Sequence, residues 1–272
     1  MRPLRCASLC AVALSAAGCL QSQEELIPHR ARSKPASVAP GGSAGHAVVP
    51  AGAGGSVAQP PSAVQELFAD DLLNARDLGG TPLSHDRSVR YGQLQRGPVL
   101  ARLSDAGCAE FEKLGVRSVL DLREETERSA TPESACVEAK AQLVHAPLPI
   151  PYSLSAIDYL ADLNTDASIA RAFELLGDPE AYPIYFHCTY GRDRTGVLAA
   201  LILLALGASP DVILEEYSLS SASVGATPNS LRAVLDEVER RGGIEAHLGA
   251  IGVSAQALEV LRARVVVARA AE

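Results

Sequence analysis

Between Tyr182 and Gly207 the chain reads YPIYFHCTYGRDRTGVLAALILLALG. The run YPIYFH predicts a short buried strand that leads straight into Cys188. The run after Thr195 is apolar on nearly every face, so it predicts a helix buried in the core. It is too short to cross a membrane. Two buried elements flank one polar loop, HCTYGRDR, which must therefore emerge at an edge of the core. That arrangement points to an α/β layer protein.

The loop has the residues of an anion site that carries a nucleophile. Arg194 lies six positions after Cys188, a Cys-x5-Arg spacing, and the helix is expected to begin at about Arg194 or Thr195. Free N–H groups and the dipole of that helix point back at the loop. A tight turn at Gly191 lets further N–H groups, those of Thr189 and Tyr190 included, turn inward and cradle an anion. Thiols in such places titrate at about 3.5–7.5 instead of about 8.5, and the thiolate is the nucleophile. Arg194 offers a planar fork for two phosphate oxygens. Thr195 is placed to donate to the thiolate when Cys188 leaves. Asp193 is the carboxylate nearest the chemistry, able to protonate a leaving oxygen or to fix an arginine. His187 is expected to order the loop through hydrogen bonds. A core thiol beside a solvated turn is the plainer alternative. It gives no reason for His-Cys before, Arg-Asp-Arg within and Thr-Gly after.

Other segments fill in the layers. Val64–Asn74 reads as a helix or arm, and RGPVLARL as a strand after a turn. In SDAGCAEFEKLG, Ser104 caps a helix that Gly115 stops. VRSVLDL and AQLVHAPL read as strands, REETERSATPES as helix and loop, and Ser153–Gly177 as two helices. From Asp211 to Ala270 the pattern is helical throughout. Arg76 and Asp77 are expected to pair structurally near a strand start, and Tyr152 and Tyr159 to pack. Arg123 follows a strand end near the loop, and substrate binding and a structural role weigh equally there. His85, His145 and His247 show no metal-ligand spacing.

The N-terminus is of another kind. Residues 1–19, MRPLRCASLCAVALSAAGC, have the basic start, apolar stretch and small-residue end of an export signal. The ending SAAGC resembles a lipoprotein signal, with a lipid on Cys19. Ordinary cleavage nearby and an uncleaved anchor are the alternatives. Residues 20–63 are rich in Ala, Gly, Pro and Ser without apolar periodicity, the composition of a flexible tether. The catalytic domain is expected over residues 64–272. An exported lipoprotein on the periplasmic or cell-surface side follows, or else a secreted protein. With Cys19 lipidated, Cys108, Cys136 and Cys188 remain. Cys108 and Cys136 can pair in an oxidising compartment, although isolated helix thiols weigh more in the balance.

Charge limits the partners. The whole chain carries a net charge of −8; with the five bases and two acids before Glu66 set aside, 19 bases and 30 acids remain, a net of −11. A nucleic-acid-coating protein needs the opposite balance. Two arginines in an acidic domain mark a local anion site.

These residues resemble the cysteine-dependent protein tyrosine phosphatases, and within them a bacterial branch with the loop H-C-x-x-G-K-D-R-T-G. NARDLGG, GVRSVLDLREETE and GGIEAHLGAIGVSAQALEVLRARVV are similar to further motifs of that branch, so the likeness runs from about Asn74 to Val267. It implies a three-layer fold, with a central, mostly parallel sheet flanked by helices and a helical C-terminal part. It implies a phosphocysteine on Cys188, phosphate held by Arg194, and neither metal nor other cofactor. Asp193 is the implied general acid, with Asp121 competing. Thr189, Tyr190, Gly191, Arg192, His187 and Arg123 are the implied substrate-binding residues. Arg192 stands where the branch has a lysine associated with phosphoinositide activity. The substrate is then a phosphotyrosine protein, with a phosphorylated lipid or inositol phosphate as the alternative. A sulfurtransferase also holds a cysteine in an anion-cradling loop, but the Cys-x5-Arg-Thr-Gly spacing favours phosphate. A silent phosphate-binding module would not need Cys188, Asp193 and Arg194 together.

Overall fold

The computed structural model describes residues 65–149, 151, 153–220, 224, 225 and 227–269. The expected export signal, the lipid site Cys19, the tether and Tyr152 lie outside the described residues.

Five strands form the main sheet: β1 (Arg76–Asp77), β4 (Leu94–Gly97), β5 (Ser118–Asp121), β6 (Gln142–His145) and β7 (Ile184–His187). Their order is β1-β4-β7-β5-β6. All neighbours are parallel except the antiparallel edge pair β1–β4. The nucleophile strand β7 is therefore central. It is paired on both sides, with Phe186 level with Arg96 and with Leu120. Side chains alternate between faces along a strand. Tyr185 and Val119 join an apolar cluster with Phe68, Phe111 and Val137. Ile184, Phe186 and Leu120 join the larger cluster on the other side.

The smaller face is covered by α1 (Asp105–Leu114) and α3 (Ala135–Glu138). Ser104 caps α1 through the N–H of Gly107, and Gly115, at φ 65°, ends it in the left-handed conformation. Cys108 in α1 and Cys136 in α3 form a disulfide, which overturns the expectation of isolated helix thiols. The larger face is covered by α4 (Ala156–Leu163), α5 (Asp166–Leu176) and α6 (Asp193–Leu206), with α7 (Pro210–Ser218) and the helix Pro228–Arg240 behind them. Every residue of α6 except Leu204 is buried, as its uniformly apolar sequence requires. Among the described residues, no helix is long and apolar enough to cross a membrane.

Two expectations are corrected here. The strand expected in RGPVLARL lies earlier, at β4, and Pro98 follows its last residue. The C-terminal part does not stay helical: Val266–Ala268 forms a strand, β8, against β3 (Arg87–Val89), in a small sheet with β2 (Pro82–Leu83). Of the helix or arm expected over Val64–Asn74, residues 65–74 take the arm, pinned by a bridge between Glu66 and Arg76.

Candidate active site

β7 ends at His187, and the next residue, Cys188, is a buried free thiol, 2% exposed. The loop then turns through Gly191 at φ 68°, and α6 starts at Asp193. Gly191 is required twice over. Its φ is costly for any other residue. A Cβ there would also lie 2.2 Å from the carbonyl carbon of Gly97. The loop is thus pressed against the end of β4.

Two side chains clamp the carbonyls of the loop from outside. Arg96 in β4 donates from Nη2 to the carbonyl of Gly191 at 2.9 Å. Asn74 donates from Nδ2 to the carbonyls of Tyr190 and Gly191 at 3.0 and 3.1 Å. These bonds fix the peptide planes at Tyr190 and Gly191, and a loop of oriented peptide N–H groups is what an anion cradle needs. The clamps are themselves held. Glu216 in α7 accepts from Arg96 Nη1 at 2.7 Å and Arg76 Nε at 2.8 Å, and Arg76 Nη1 donates to Asn74 Oδ1 at 2.6 Å. Burial alone would raise Glu216; the two guanidiniums outweigh it and hold the carboxyl below its usual range. The structural role expected for Arg76 is seen, but its partner is Glu216. Asp77 instead accepts from the N–H groups of Gly79 and Gly92.

Arg194 is 4% exposed and meets Glu127 of α2 (Glu125–Ala130) end to end, Nη1 to Oε2 at 2.6 Å and Nη2 to Oε1 at 2.8 Å. That pairing leaves the Nε side of the guanidinium available for an oxyanion. Burial opposes the positive charge, but the bonds to Glu127 and the charges of Cys188 and Glu127 outweigh it, so Arg194 lies above the usual arginine range. Thr189 Oγ1 donates to the same carboxylate at 2.7 Å. The Thr195 hydroxyl is fully buried and has no partner among the described residues, consistent with a donor held in reserve.

Asp193 Oδ1 accepts from the Tyr159 hydroxyl at 2.5 Å and from Arg192 Nε at 2.8 Å. Tyr159 is not only packing. Its oxygen also meets the hydroxyls of Tyr217 and Thr227, at 2.6 and 3.0 Å. Burial, reinforced by the charge of Asp193, holds this phenol far above its usual range, so it stays a donor. Arg192 Nη1 donates to the carbonyls of Val224 and Gly225, and its guanidinium carbon lies 5.9 Å from the Tyr190 ring centre.

The remaining candidates gather in a separate buried network. Arg123 donates to Asp121 from Nε at 3.0 Å and Nη2 at 2.8 Å, to Glu133 at 2.7 Å and to the Thr131 carbonyl at 2.7 Å. With these donors committed, Arg123 is not turned to the loop. Burial would raise Asp121, yet His187 and Arg123 together hold it below its usual range. His187 is wholly buried; its Nδ1 donates to the Cys188 carbonyl at 3.2 Å when protonated there, and Nε2 lies 3.4 Å from Glu133. Asp121, Glu133 and His187 each bring one ligand atom within 4.8 Å of the others. The guanidinium of Arg123 already bridges the two carboxylates as their cation.

Glu127, Asn74, Arg96 and Glu216 were not singled out from sequence. Glu127 and Asn74 fall inside quoted motifs; the others carry no local signal, because their partners are remote.

A central parallel strand that delivers a buried thiol into a cradle beside an arginine fork defines the class of cysteine phosphatases. Residues 68–267 match the profile described as "Tyrosine phosphatase family", and the chain belongs to that family. A Cupriavidus necator protein bearing a tyrosine-protein phosphatase name is 35% identical over 197 residues, covering 63% of this chain and 68% of that one. A tyrosine-protein phosphatase of Nostoc commune is 24% identical, covering 80% and 82%. The triple specificity protein phosphatase PtpB of Mycobacterium tuberculosis is 28% identical, covering 65% and 74%. The protein is a phosphatase, a hydrolase of phosphoric monoesters.

Proposed function

We propose that Cys188 carries the phosphoryl group between two displacements. The thiolate attacks phosphorus, the P–O bond to the leaving oxygen breaks, and Asp193 gives that oxygen its proton. Water then attacks the phosphocysteine, Asp193 takes the proton, and the S–P bond breaks as Thr195 donates to the departing sulfur. Arg194 holds the equatorial oxygens with its Nε side while Glu127 keeps the guanidinium in plane; positioning and charge stabilisation are the main demands of phosphoryl transfer. Inward N–H groups of Thr189–Arg192 complete the cradle. The single observation that carries this reading is the clamped loop. Its Tyr190 and Gly191 carbonyls are held by Arg96 and Asn74, two and three residues after a buried free thiol.

Asp193 suits the acid better than Asp121, which is tied to Arg123 in the separate network. The substrate is a phosphotyrosine protein. The phosphoinositide alternative is not favoured: the extra loop cation, Arg192, is occupied by Asp193 and two backbone carbonyls. A membrane-anchored, exported lipoprotein, tethered through Cys19 by residues 20–63, is the cellular form of this reading. Its support is the signal-like N-terminus and the disulfide, since such bonds persist in oxidising compartments.

The test is hydrolysis of an aryl phosphate and of a phosphotyrosine peptide in chelator-treated buffer. Wild type is active on both, and Cys188→Ser abolishes turnover. Activity in Cys188→Ser, or a mixed persulfide on Cys188 in place of phosphate, would remove the mechanism. Recovery of Cys19→Ala in the membrane fraction at the wild-type level would remove the lipid anchor.

A further inference from the structure

Asp193 is held from two sides, and both supports run to one stretch of chain. Tyr159 of α4 donates its hydroxyl to Oδ1 at 2.5 Å, and Arg192 donates from Nε to the same oxygen at 2.8 Å. Behind Arg192, Nη1 donates to the carbonyls of Val224 and Gly225. Behind Tyr159 stand Tyr217, near the end of α7, and Thr227, at the start of the helix Pro228–Arg240. Val224, Gly225 and Thr227 all belong to the connection between those two helices.

Proton counting fixes the direction of the second support. Arg192 can only donate, which marks Oδ1 as an acceptor, so Tyr159 gives its proton there. A phenol has one proton and two lone pairs. Tyr217 and Thr227, at 2.6 and 3.0 Å, must then both donate to the Tyr159 oxygen. The Tyr217 oxygen in turn accepts from the Thr227 N–H at 3.2 Å. Every proton in the chain therefore points toward Oδ1, and each bond polarises the next. Asp162, three residues on in α4, is buried too, and burial pushes it up to about 8, but among the described residues no hydrogen bond joins it to this chain.

Two features are otherwise unexplained. Thr227 is the N-cap of its helix, where a threonine hydroxyl ordinarily accepts from a helix N–H. It makes no such bond and goes to Tyr159 instead. Gly196 lies inside α6, where glycine weakens a helix. A Cβ there would stand 2.6 Å from Cε2 of Tyr217, so the glycine admits that ring to the helix turn that carries Asp193.

We infer that Thr227 and Tyr217 are positioning residues for the general acid: with Tyr159 they form a one-way hydroxyl chain that keeps Oδ1 of Asp193 an acceptor, so that the acid proton is carried on Oδ2. The inference rests on Asp193 as the acid of the proposed mechanism. In the first displacement the Oδ2–H bond breaks, and the proton leaves on the ester oxygen as the P–O bond breaks. Oδ1 keeps both donors, which stabilise the carboxylate left behind. In the second displacement a water O–H bond breaks and its proton returns to Oδ2. Thr227 and Tyr217 act through Tyr159 and not on the substrate.

The test uses kcat/KM, which reports the first displacement alone, on two substrates. Phenyl phosphate needs its leaving oxygen protonated; p-nitrophenyl phosphate needs it far less. Asp193→Ala sets the full scale, a loss of about 100-fold or more on phenyl phosphate. Thr227→Val removes the hydroxyl but keeps the shape and the N–H. It should lose roughly 10-fold on phenyl phosphate and less than about two-fold on p-nitrophenyl phosphate. Thr227→Ser should restore the wild-type ratio of the two substrates. Tyr217→Phe, which keeps the ring, should show the same split as Thr227→Val and decides the question if the valine variant fails to fold. Equal loss on both substrates, no loss on either, or a serine variant that behaves like valine would overturn the inference. An Asp193→Ala variant without a split would remove Asp193 as the acid, and this inference with it; a split there but none in Thr227→Val would remove the inference alone.

Discussion

Arg194 and Glu127 face each other end on, with both contacts under 3 Å, at a separation of 67 positions in sequence. Glu127 also accepts from Thr189, so one carboxylate sets both the phosphate-gripping arginine and the first residue after the nucleophile. Glu127→Ala should therefore lower kcat/KM for aryl phosphate by about 10- to 100-fold, the usual cost of a misplaced positioning group. Steady-state kinetics check this. An unchanged or higher kcat/KM would mean that Arg194 orients itself.

Tyr159→Phe removes a hydroxyl shared by Asp193, Tyr217 and Thr227. Buried groups left without a partner cost about 1–3 kcal/mol, so the unfolding free energy from urea titration should fall by an amount of that size. The pH–rate profile should change shape as well, because Asp193 loses a donor. A pure packing role would alter stability alone.

Gly191→Ala introduces a Cβ where the Gly97 backbone already stands, at a φ of 68°. The loop must deform. Activity should fall by at least about 100-fold while most of the core, far from the loop, still melts cooperatively. Near-wild-type turnover would show that the loop adapts.

The Cys108–Cys136 disulfide closes a span of 28 residues and joins two helices on the face away from α6. Chain-entropy reasoning assigns a loop of this size about 3–4 kcal/mol. Cys108→Ala with Cys136→Ala should lower the melting temperature clearly yet leave kcat on aryl phosphate within about two-fold, since Cys188 is untouched. A matching loss of kcat would place α1 and α3 in the working site.

Asp162 gives stability a slope. Its folded value, about 8, lies above the unfolded 3.8, so between these values the native state keeps a proton that the unfolded chain releases. Its full contribution is present below the unfolded value and is lost as pH rises toward the folded one, at a slope on the order of 1 kcal/mol per pH unit. Asp162→Asn should flatten that fall, so denaturation midpoints compared at several pH values should diverge most near pH 8.

The strand–loop–helix from Ile184 to Leu206 was legible because local pattern and chemistry agree there: a buried apolar run, a glycine turn, and a helix with no polar face. β4 was not. Gln95 and Arg96 are buried polar residues, and a run of such side chains reads as a loop. Glu216, 120 residues away, and the Gly191 carbonyl, 95 away, make Arg96 tolerable there. β8 was missed for a related reason. Val266–Ala268 continues a helix by pattern, and its strand form comes from its partner, Arg87–Val89. The chemistry of the nucleophile loop was readable, whereas the groups that aim it were not. Asn74, Arg96 and Glu127 act through contacts that no window of sequence contains. The Cys108–Cys136 pair was nameable from the cysteine count but weighed below isolated thiols, because two helical cysteines show their spacing only once α1 and α3 pack.

The clamps on the loop have a consequence for where the catalytic unit ends. Residues 184–206 contain the thiol, the fork and the helix, and look like a portable cassette. Yet the carbonyls that must turn outward are held by Asn74 and Arg96, and those in turn by Arg76 and Glu216. A transplant of the cassette into another parallel sheet would bring the reactive atoms without the braces that give them direction. Inheritance of this activity therefore requires both ends of the domain together, and drift at position 74 or 216 can silence a loop whose own sequence is intact.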